Sequence, residues 1–221
     1  MHIILGGTSG LGWEIAKLLR SRGERVLVLG KFYNEGDFGE GFALDLYDEE
    51  SVSWAAGELE RRIGAEPVQS FVWAAGYGWR GRFADQPDAR SMAVVNFAGA
   101  LPFVQSVWQR MVVEPSVSNF VVLSSTSGVK SRPDEAVYVA TKYAQTGLAR
   151  SLGQEAAAFH ESCQVSLFIL GGMKTRFWQG REPKHYERYN DPGKVAVKVV
   201  DSFMVQSEPY LEVAIPRGTL V

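Results

Sequence analysis

The opening of the chain constrains its fold more than any other stretch. Ile3-Ile4-Leu5 is a short apolar run, and Gly6-Gly7-Thr8-Ser9-Gly10-Leu11-Gly12 follows it at once. From Trp13 the apolar residues Ile15, Ala16, Leu18 and Leu19 fall at helical spacing, and Gly23 ends the run. Arg25 to Leu29 then predicts a second strand. A glycine-rich loop therefore joins strand to helix inside a βαβ unit. Such a loop lets a pyrophosphate approach the backbone at the helix's first amides. The plainer alternative is a tight strand-to-helix turn with no ligand.

The same alternation continues. Gly30 to Gly41 is short and Gly-rich and leaves no room for a crossover helix, so a loop is expected there. Phe42 to Leu44 predicts a strand ending at Asp45, and Asp48 caps a helix from Glu49 to about Ile63. Pro67 breaks it, Val68 to Ala74 is a strand, and Tyr77 to Pro87 is a loop. Asp88 to about Val113 predicts one long helix, with Pro102 as the place for a kink. Asn119 to Leu123 is a strand running into Ser124-Ser125, and the helix carrying Tyr138 extends to about His160. Gln164 to Leu170 is a strand, Gly171 to Asp191 is irregular and aromatic-rich, Gly193 to Val205 is a helix, and Tyr210 to Ile215 is a last strand.

Strands with continuous apolar cores, alternating with helices, imply a parallel sheet covered on both faces. The expectation is a doubly wound α/β fold, and 221 residues suit a single domain. Ligands on such sheets sit beyond the carboxyl ends of the strands. Gly6, Gly76, Ser125 and Gly171 each follow a strand end, so one rim should gather them.

Composition narrows the function classes. A net charge of -2 gives no reason to expect nucleic acid or an anionic membrane as partner. No apolar run reaches the ~18 residues of a membrane span. Met1 to Leu5 reads as a strand and not as a leader. Cys163 is the single cysteine, which fits a cytoplasmic setting. Three scattered histidines and one cysteine offer no metal-ligand spacing.

The chemistry concentrates at Tyr138-Val139-Ala140-Thr141-Lys142. Residues four apart on a helix share a face. A free phenol titrates near ~10 and transfers protons poorly at neutral pH. A fixed ammonium nearby favours the phenolate, so Lys142 is expected to lower the Tyr138 pKa and make it a proton-transfer group.

Taken in order, these residues resemble the short-chain dehydrogenase/reductase family, with its Rossmann-type sheet. Leu5 to Gly12 is similar to the family's TGxxxGxG loop, with Leu5 where Thr is usual. Ala74-Ala75-Gly76 resembles the end of NNAG, with Trp73 and Ala74 replacing its asparagines, for which an apolar packing substitute is expected. Ser125 lies 13 residues before Tyr138, the family's distance between catalytic Ser and Tyr. Gly171 and Thr175 resemble PGxxxT, with Leu170 in place of Pro.

The resemblance implies an oxidoreductase that interconverts a carbonyl compound and its alcohol. Asn96, Ser125, Tyr138 and Lys142 would be catalytic. Tyr138 would give or take the proton, Ser125 would hold the substrate oxygen, and Lys142 would also hold ribose hydroxyls. Asn96 would keep a water in a proton relay towards Lys142. Gly6, Thr8, Ser9, Gly10, Leu11 and Gly12 would bind the cofactor, as would Asp45, Leu46, Ala74, Ala75, Gly76, Gly171, Met173 and Thr175. No acid follows the second strand; Lys31 stands there and offers a charge to a 2′-phosphate. NADP(H) is the expected cofactor, with NAD(H) the alternative.

The segment at about 172–192 would close over the substrate. Its Met173, Phe177, Trp178, His185, Tyr186 and Tyr189 suit either an apolar or aromatic carbonyl compound or packing of the lid on the core. Trp79, Arg80 and Arg82 are candidates for the other wall. The resemblance also implies a homodimer or homotetramer. Ala144, Gly147, Ala149 and Gly153 would let helices approach closely, within the subunit or between subunits. The competing function is a non-catalytic NAD(P)-binding sensor on the same fold.

Overall fold

A computed structural model describes residues 1–114, 116–159, 162–178 and 185–221, without the side chain of Trp178. Its strands are β1 (His2–Leu5), β2 (Val26–Gly30), β3 (Gly41–Ala43), β4 (Ser70–Trp73), β5 (Ser118–Ser125), β6 (Cys163–Leu170) and β7 (Tyr210–Ile215). They form one parallel sheet in the order β3-β2-β1-β4-β5-β6-β7. The order reverses between β1 and β4, which opens a crevice at their carboxyl ends.

The helices are α1 (Gly10–Ser21), α2 (Glu35–Phe38), α3 (Glu49–Ile63), α4 (Ala89–Asn96), α5 (Leu101–Met111), α6 (Ala136–Phe159) and α7 (Pro192–Met204). Successive strand residues point to opposite faces. Ile3 and Leu5 therefore join one core with α3, α5 and α6, while Ile4 joins the other with α1 and α7. Phe71, Trp73, Phe103 and Phe120 are fully buried. Each such side chain contributes roughly 1.5–3 kcal/mol through apolar area withdrawn from water. The doubly wound α/β reading of the sequence holds.

Two local expectations change. The stretch between β2 and β3 carries one helical turn, α2, because the Asn34 side chain caps it by accepting from Gly36 N at 3.0 Å. The long helix from Asp88 is two helices. Phe97 leaves helical geometry at φ -142° and ψ -68°, and a 3-10 turn at Ala98–Ala100 leads into α5. Pro102 sits in the first turn of α5, where its missing N–H has no helical partner to lose, so it starts a helix and does not kink one. The break brings Gly99 against β3's exit: a Cβ there would lie 2.1 Å from the Leu46 carbonyl oxygen.

Taken as one stretch, Ala89–Met111 is long and apolar enough to cross a membrane, with a mean hydropathy of 1.2. No uninterrupted apolar run reaches that length, because Arg90, Asn96, Gln105, Gln109 and Arg110 fall within the stretch. In the fold the stretch is divided, and Met92, Phe103, Val104, Val107 and Met111 are buried within the protein.

On α6 the inward face changes character along its length. Tyr138, Thr141, Lys142, Gln145 and Thr146 are buried in the first half, and Ala149, Leu152, Gly153 and Ala156 in the second. The helix is thus core at one end and polar at the other. Gly153 and Ala149 are used inside the subunit, since a Cβ on Gly153 would lie 2.3 Å from the Tyr210 ring and Ala149 is wholly buried. Gly147 lies open, with nothing within 4 Å of its Cβ position.

Candidate active site

The rim holds a cleft of about 2050 Å³. A small-molecule pocket spans roughly 300–1,000 Å³, so this cleft has room for a dinucleotide and a second molecule. Gly6, Thr8, Ser9, Gly10, Leu11 and Gly12 line it at one side, with Asp45, Leu46, Ala74, Ala75 and Gly76 beside them. Gly12 is required by close approach: a Cβ there would stand 2.3 Å from the Gly6 carbonyl oxygen. Ser9 occupies the N-cap of α1 without a capping side-chain hydrogen bond, and the first turn holds no acid. Those amides are left for an anion, which suits a cofactor pyrophosphate. Gly171, Met173 and Thr175 line the opposite lip, with Thr175 Cγ2 3.7 Å from the Gly10 Cβ position.

Lys31 and Asp45 meet at the far end. Lys31 Nζ lies 2.7 Å from Asp45 Oδ2, and Tyr47 N donates to Asp45 Oδ1 at 3.1 Å. Partial burial pushes the Asp45 carboxyl up, but the Lys31 and Tyr47 hydrogen bonds outweigh it and hold the carboxyl below its ordinary value. The two residues read separately from the sequence are therefore one ion pair.

Ser125, Tyr138 and Lys142 come together as the spacing implied. The turn after β5 sits on α6 because Gly128 has no side chain; a Cβ would lie 2.6 Å from both Ser124 Oγ and Thr146 Oγ1. Ser127 N donates to Ser125 Oγ at 3.1 Å, and the Ser125 hydroxyl faces the same cleft as the Tyr138 phenol and lies near enough to lower its pKa. Lys142 Nζ lies 5.8 Å from the centre of the Tyr138 ring.

The electrostatics differ from the expectation. Burial raises the Tyr138 pKa above its ordinary value, and only the Ser125 hydrogen bond and more distant Arg132 pull it down, while Glu135 adds to the rise. The Lys142 amine does not lower it. Burial brings Lys142 itself down to about 7, so the amine is charged only part of the time near neutrality and is a weak lever on the phenol.

Asn96 is fully buried. Its Oδ1 accepts from Tyr77 N at 2.9 Å, and its Nδ2 donates to Tyr77 O at 2.9 Å and to Thr141 Oγ1 at 3.2 Å. Its main-chain carbonyl accepts from Gln145 Nε2 at 2.8 Å, and Gln145 Oε1 accepts from Lys142 Nζ at 2.8 Å. A glutamine amide therefore links the Asn96 carbonyl to the Lys142 amine. Lys142 Nζ also donates to Leu123 O at 3.0 Å.

The wall above Ser125 is charged. Glu135 is buried and accepts from Ser127 Oγ at 2.8 Å, with Arg80 Nε at 3.4 Å and Arg132 Nε at 3.7 Å. Arg80 also pairs with Asp134. Burial pushes the Glu135 carboxyl up against these partners. Tyr77, Phe177, His185 and Tyr189 line the cleft, and Phe177 packs edge-on against Tyr138 at 5.4 Å. Tyr186 donates its hydroxyl to Thr175 O at 3.2 Å. Arg82 points elsewhere and pairs with Asp85. The Trp178 side chain and residues 179–184 of the expected lid lie outside the described residues.

Trp73 fills the strand position as expected, fully buried and stacked on Phe97 with ring centres 6.0 Å apart. Its indole N–H finds no partner among the described residues. Sequence reasoning missed Gln145, Glu135 and Asn190. The last is buried and ties the chain's end down, accepting from Gly218 N at 2.9 Å and Leu220 N at 3.0 Å. Among the described residues no cluster of three potential metal ligands exists.

Comparison with known proteins fits this geometry. A family model described as short chain dehydrogenase matches residues 1–185. The chain belongs to the short-chain dehydrogenase/reductase family, oxidoreductases that bind NAD(P)(H) and act on small molecules. A human 3-oxoacyl-[acyl-carrier-protein] reductase is 26% identical over 224 residues, covering 94% of this chain and 91% of its own. A short-chain dehydrogenase from Streptomyces avermitilis superposes with a TM-score of 0.80 at 24% identity, over 97% of this chain and 88% of its own. An alcohol dehydrogenase from Thermococcus sibiricus, solved with 5-hydroxy-NADP, gives 0.79 at 21% identity, over 100% of this chain and 97% of its own.

The low Lys142 pKa predicts how stability depends on pH. In the unfolded chain a lysine titrates near ~10.4, so between the folded and unfolded values the unfolded state binds more protons and stability rises with pH. Below about 7 the folded protein carries the full penalty of the buried charge. Lys142→Met removes this dependence. The wild type should gain on the variant by roughly 2–3 kcal/mol from about pH 7 to about pH 9.5 in urea titrations. A constant difference would show that the amine is not dehydrated.

Proposed function

We propose that this chain transfers hydride between NADP(H) and a small carbonyl/alcohol pair, with Tyr138 as the general acid and base. The observation that carries the reading is the Ser125–Tyr138 hydroxyl pair in the same cleft as the glycine loop. The nicotinamide supplies or accepts the hydride. Ser125 and Tyr138 hold the substrate oxygen between two hydroxyls. A phenol that burial keeps protonated is prepared to give its proton to an oxygen that gains charge, which suits reduction; oxidation runs the same steps backwards. The name of the human relative, a reductase, supports the same direction.

Lys142 holds the ribose in this reading. Two of its three N–H groups are taken by Leu123 O and Gln145 Oε1, which leaves one for a hydroxyl in the cleft. The glycine loop would hold the pyrophosphate, and Thr175, Met173 and Gly171 on the opposite lip would hold the nicotinamide end. The substrate chamber joins an aromatic side, Tyr77 and Phe177, to a hydrogen-bonding side, Ser127, Arg132 and Glu135. That combination fits a small carbonyl compound with a polar group beside its apolar part. The chain works as one domain in which Met173, Phe177, His185 and Tyr189 border this chamber, in a cytoplasmic setting that suits the buried Cys163 thiol. Gly147 and the half-exposed Tyr143 on α6 support contact with a second copy in a homodimer or homotetramer.

Tyr138→Phe removes the proton donor and keeps the ring against Phe177. Its kcat should fall by roughly 10²–10⁴-fold while NADPH affinity, read by fluorescence titration, stays within a few fold. Full activity in that variant would remove Tyr138 from the mechanism. NADPH binding by the wild type without turnover on a carbonyl panel would favour a sensor.

Cofactor preference follows from the Lys31–Asp45 pair. A 2′-phosphate must share Lys31 with the Asp45 carboxylate, which repels it. Asp45→Asn should lower the KM for NADPH and leave that for NADH nearly unchanged, whereas Lys31→Ala should raise the KM for NADPH by about tenfold, as loss of one charge-assisted contact of ~1.4 kcal/mol implies. Equal effects on both cofactors would detach the pair from the 2′ position.

A further inference from the structure

We propose that Gln145 is a positioning residue for the Lys142 amine, bridging it to the Asn96 carbonyl. The proposal rests on the reading of Tyr138 and Lys142 as the reacting pair. It adds a residue that the sequence motifs do not contain.

Gln145 is fully buried, three residues after Lys142 on the inward face of α6. Its two amide ends meet partners of opposite kind. Nε2 donates to Asn96 O at 2.8 Å, and Oε1 accepts from Lys142 Nζ at 2.8 Å. Turning the amide over would set NH₂ against the ammonium and oxygen against a carbonyl, so both contacts would become repulsive. The partners therefore fix a single orientation. The anchor is itself held, because the Asn96 side chain is clamped by both main-chain polar groups of Tyr77. Leu123 O supplies the second acceptor and completes a fixed seat for Nζ.

The bridge differs from a water in one chemical respect. A water can take a proton on one side and release another on the far side. A carboxamide can do so only by passing through its imidic acid form, which lies far above the amide in energy. Gln145 thus holds the charge of Lys142 without carrying its proton.

The test uses the full chain with Gln145→Leu and Gln145→Glu, and reads the amine directly. Lysine labelled with ¹³C at Cε gives one titrating signal per residue, and Lys142→Met identifies the one that belongs here. Removing the acceptor disfavours the ammonium, so Gln145→Leu should lower the Lys142 titration midpoint by about one unit, a tenfold loss of proton affinity. Gln145→Glu puts a carboxylate in the same place and should move the midpoint upward. In both variants the pH profile of kcat should shift in the same direction while the KM for cofactor changes less than about threefold.

The NMR arm needs no turnover. If the oxidoreductase reading fails, the titration still decides whether Gln145 seats the amine. A midpoint unmoved in the glutamate variant overturns the proposal, whether or not the leucine variant folds. A general loss of packing would lower stability and leave the opposite directions of the two shifts unexplained.

Discussion

The withdrawal of one ammonium group from water is the constraint on which the rim is built. Lys142 lies on a helix that faces the sheet, and burial alone brings its pKa down to about 7. An isolated charge in such a place costs several kcal/mol unless oriented dipoles replace its hydration. The fold provides them from three elements. β5 runs past the last pair of its ladder with β4, Trp73 with Val122, and Leu123 just beyond offers its carbonyl. α6 offers Gln145, and the end of α4 offers the Asn96 carbonyl that steadies it. The break after Asn96 has a place in this scheme. A helix continuing through Phe97 to Ala100 would use that carbonyl for its own ladder, whereas the turn leaves it for the Gln145 amide.

Most of the fold was legible in the sequence because its signals are local. Apolar runs such as Phe71 to Trp73 and helical spacing such as Ile15 to Leu19 are set by neighbours along the chain. The division of the long helix was not legible. Its cause is the approach of Gly99 to the Leu46 carbonyl, a contact between residues more than fifty positions apart. Pro102 drew attention to the right region and suggested the wrong device, since proline is as compatible with a helix start as it is hostile to a helix interior.

The site divides in the same way. The spacing of Ser125, Tyr138 and Lys142 brought them together through one turn and one helix face. The direction of the Tyr138 shift was beyond spacing, because it depends on burial by Phe177 and Met92 and on the acid at Glu135. A signal for Gln145 was present. The buried positions of α6 run Tyr138, Thr141, Lys142, Gln145, Thr146 and then Ala149, Leu152, Ala156, a stripe that turns from polar to apolar partway along. A polar stripe on a helix with an apolar continuation marks where the helix leaves the core and enters a site. Periodicity counted for apolar residues alone passes over it.

This division of α6 also explains where its packing is weakest in principle. Side chains in the second half are small and apolar and meet the sheet closely, as Gly153 meets Tyr210. Those in the first half are held by hydrogen bonds whose net worth is only about 1 kcal/mol each, and losing one partner strands another buried polar group. Apolar replacement of the whole set, Lys142 included, would remove the buried charge and would abolish the rim's chemistry. The indole N–H of Trp73, which finds no partner among the described residues, is the complementary case: it is tolerated because the ring buries a large area against Phe97. Stability in this fold is therefore drawn from the sheet and the lower half of α6, and the upper half is free to keep a dehydrated amine and two hydroxyls in a fixed arrangement.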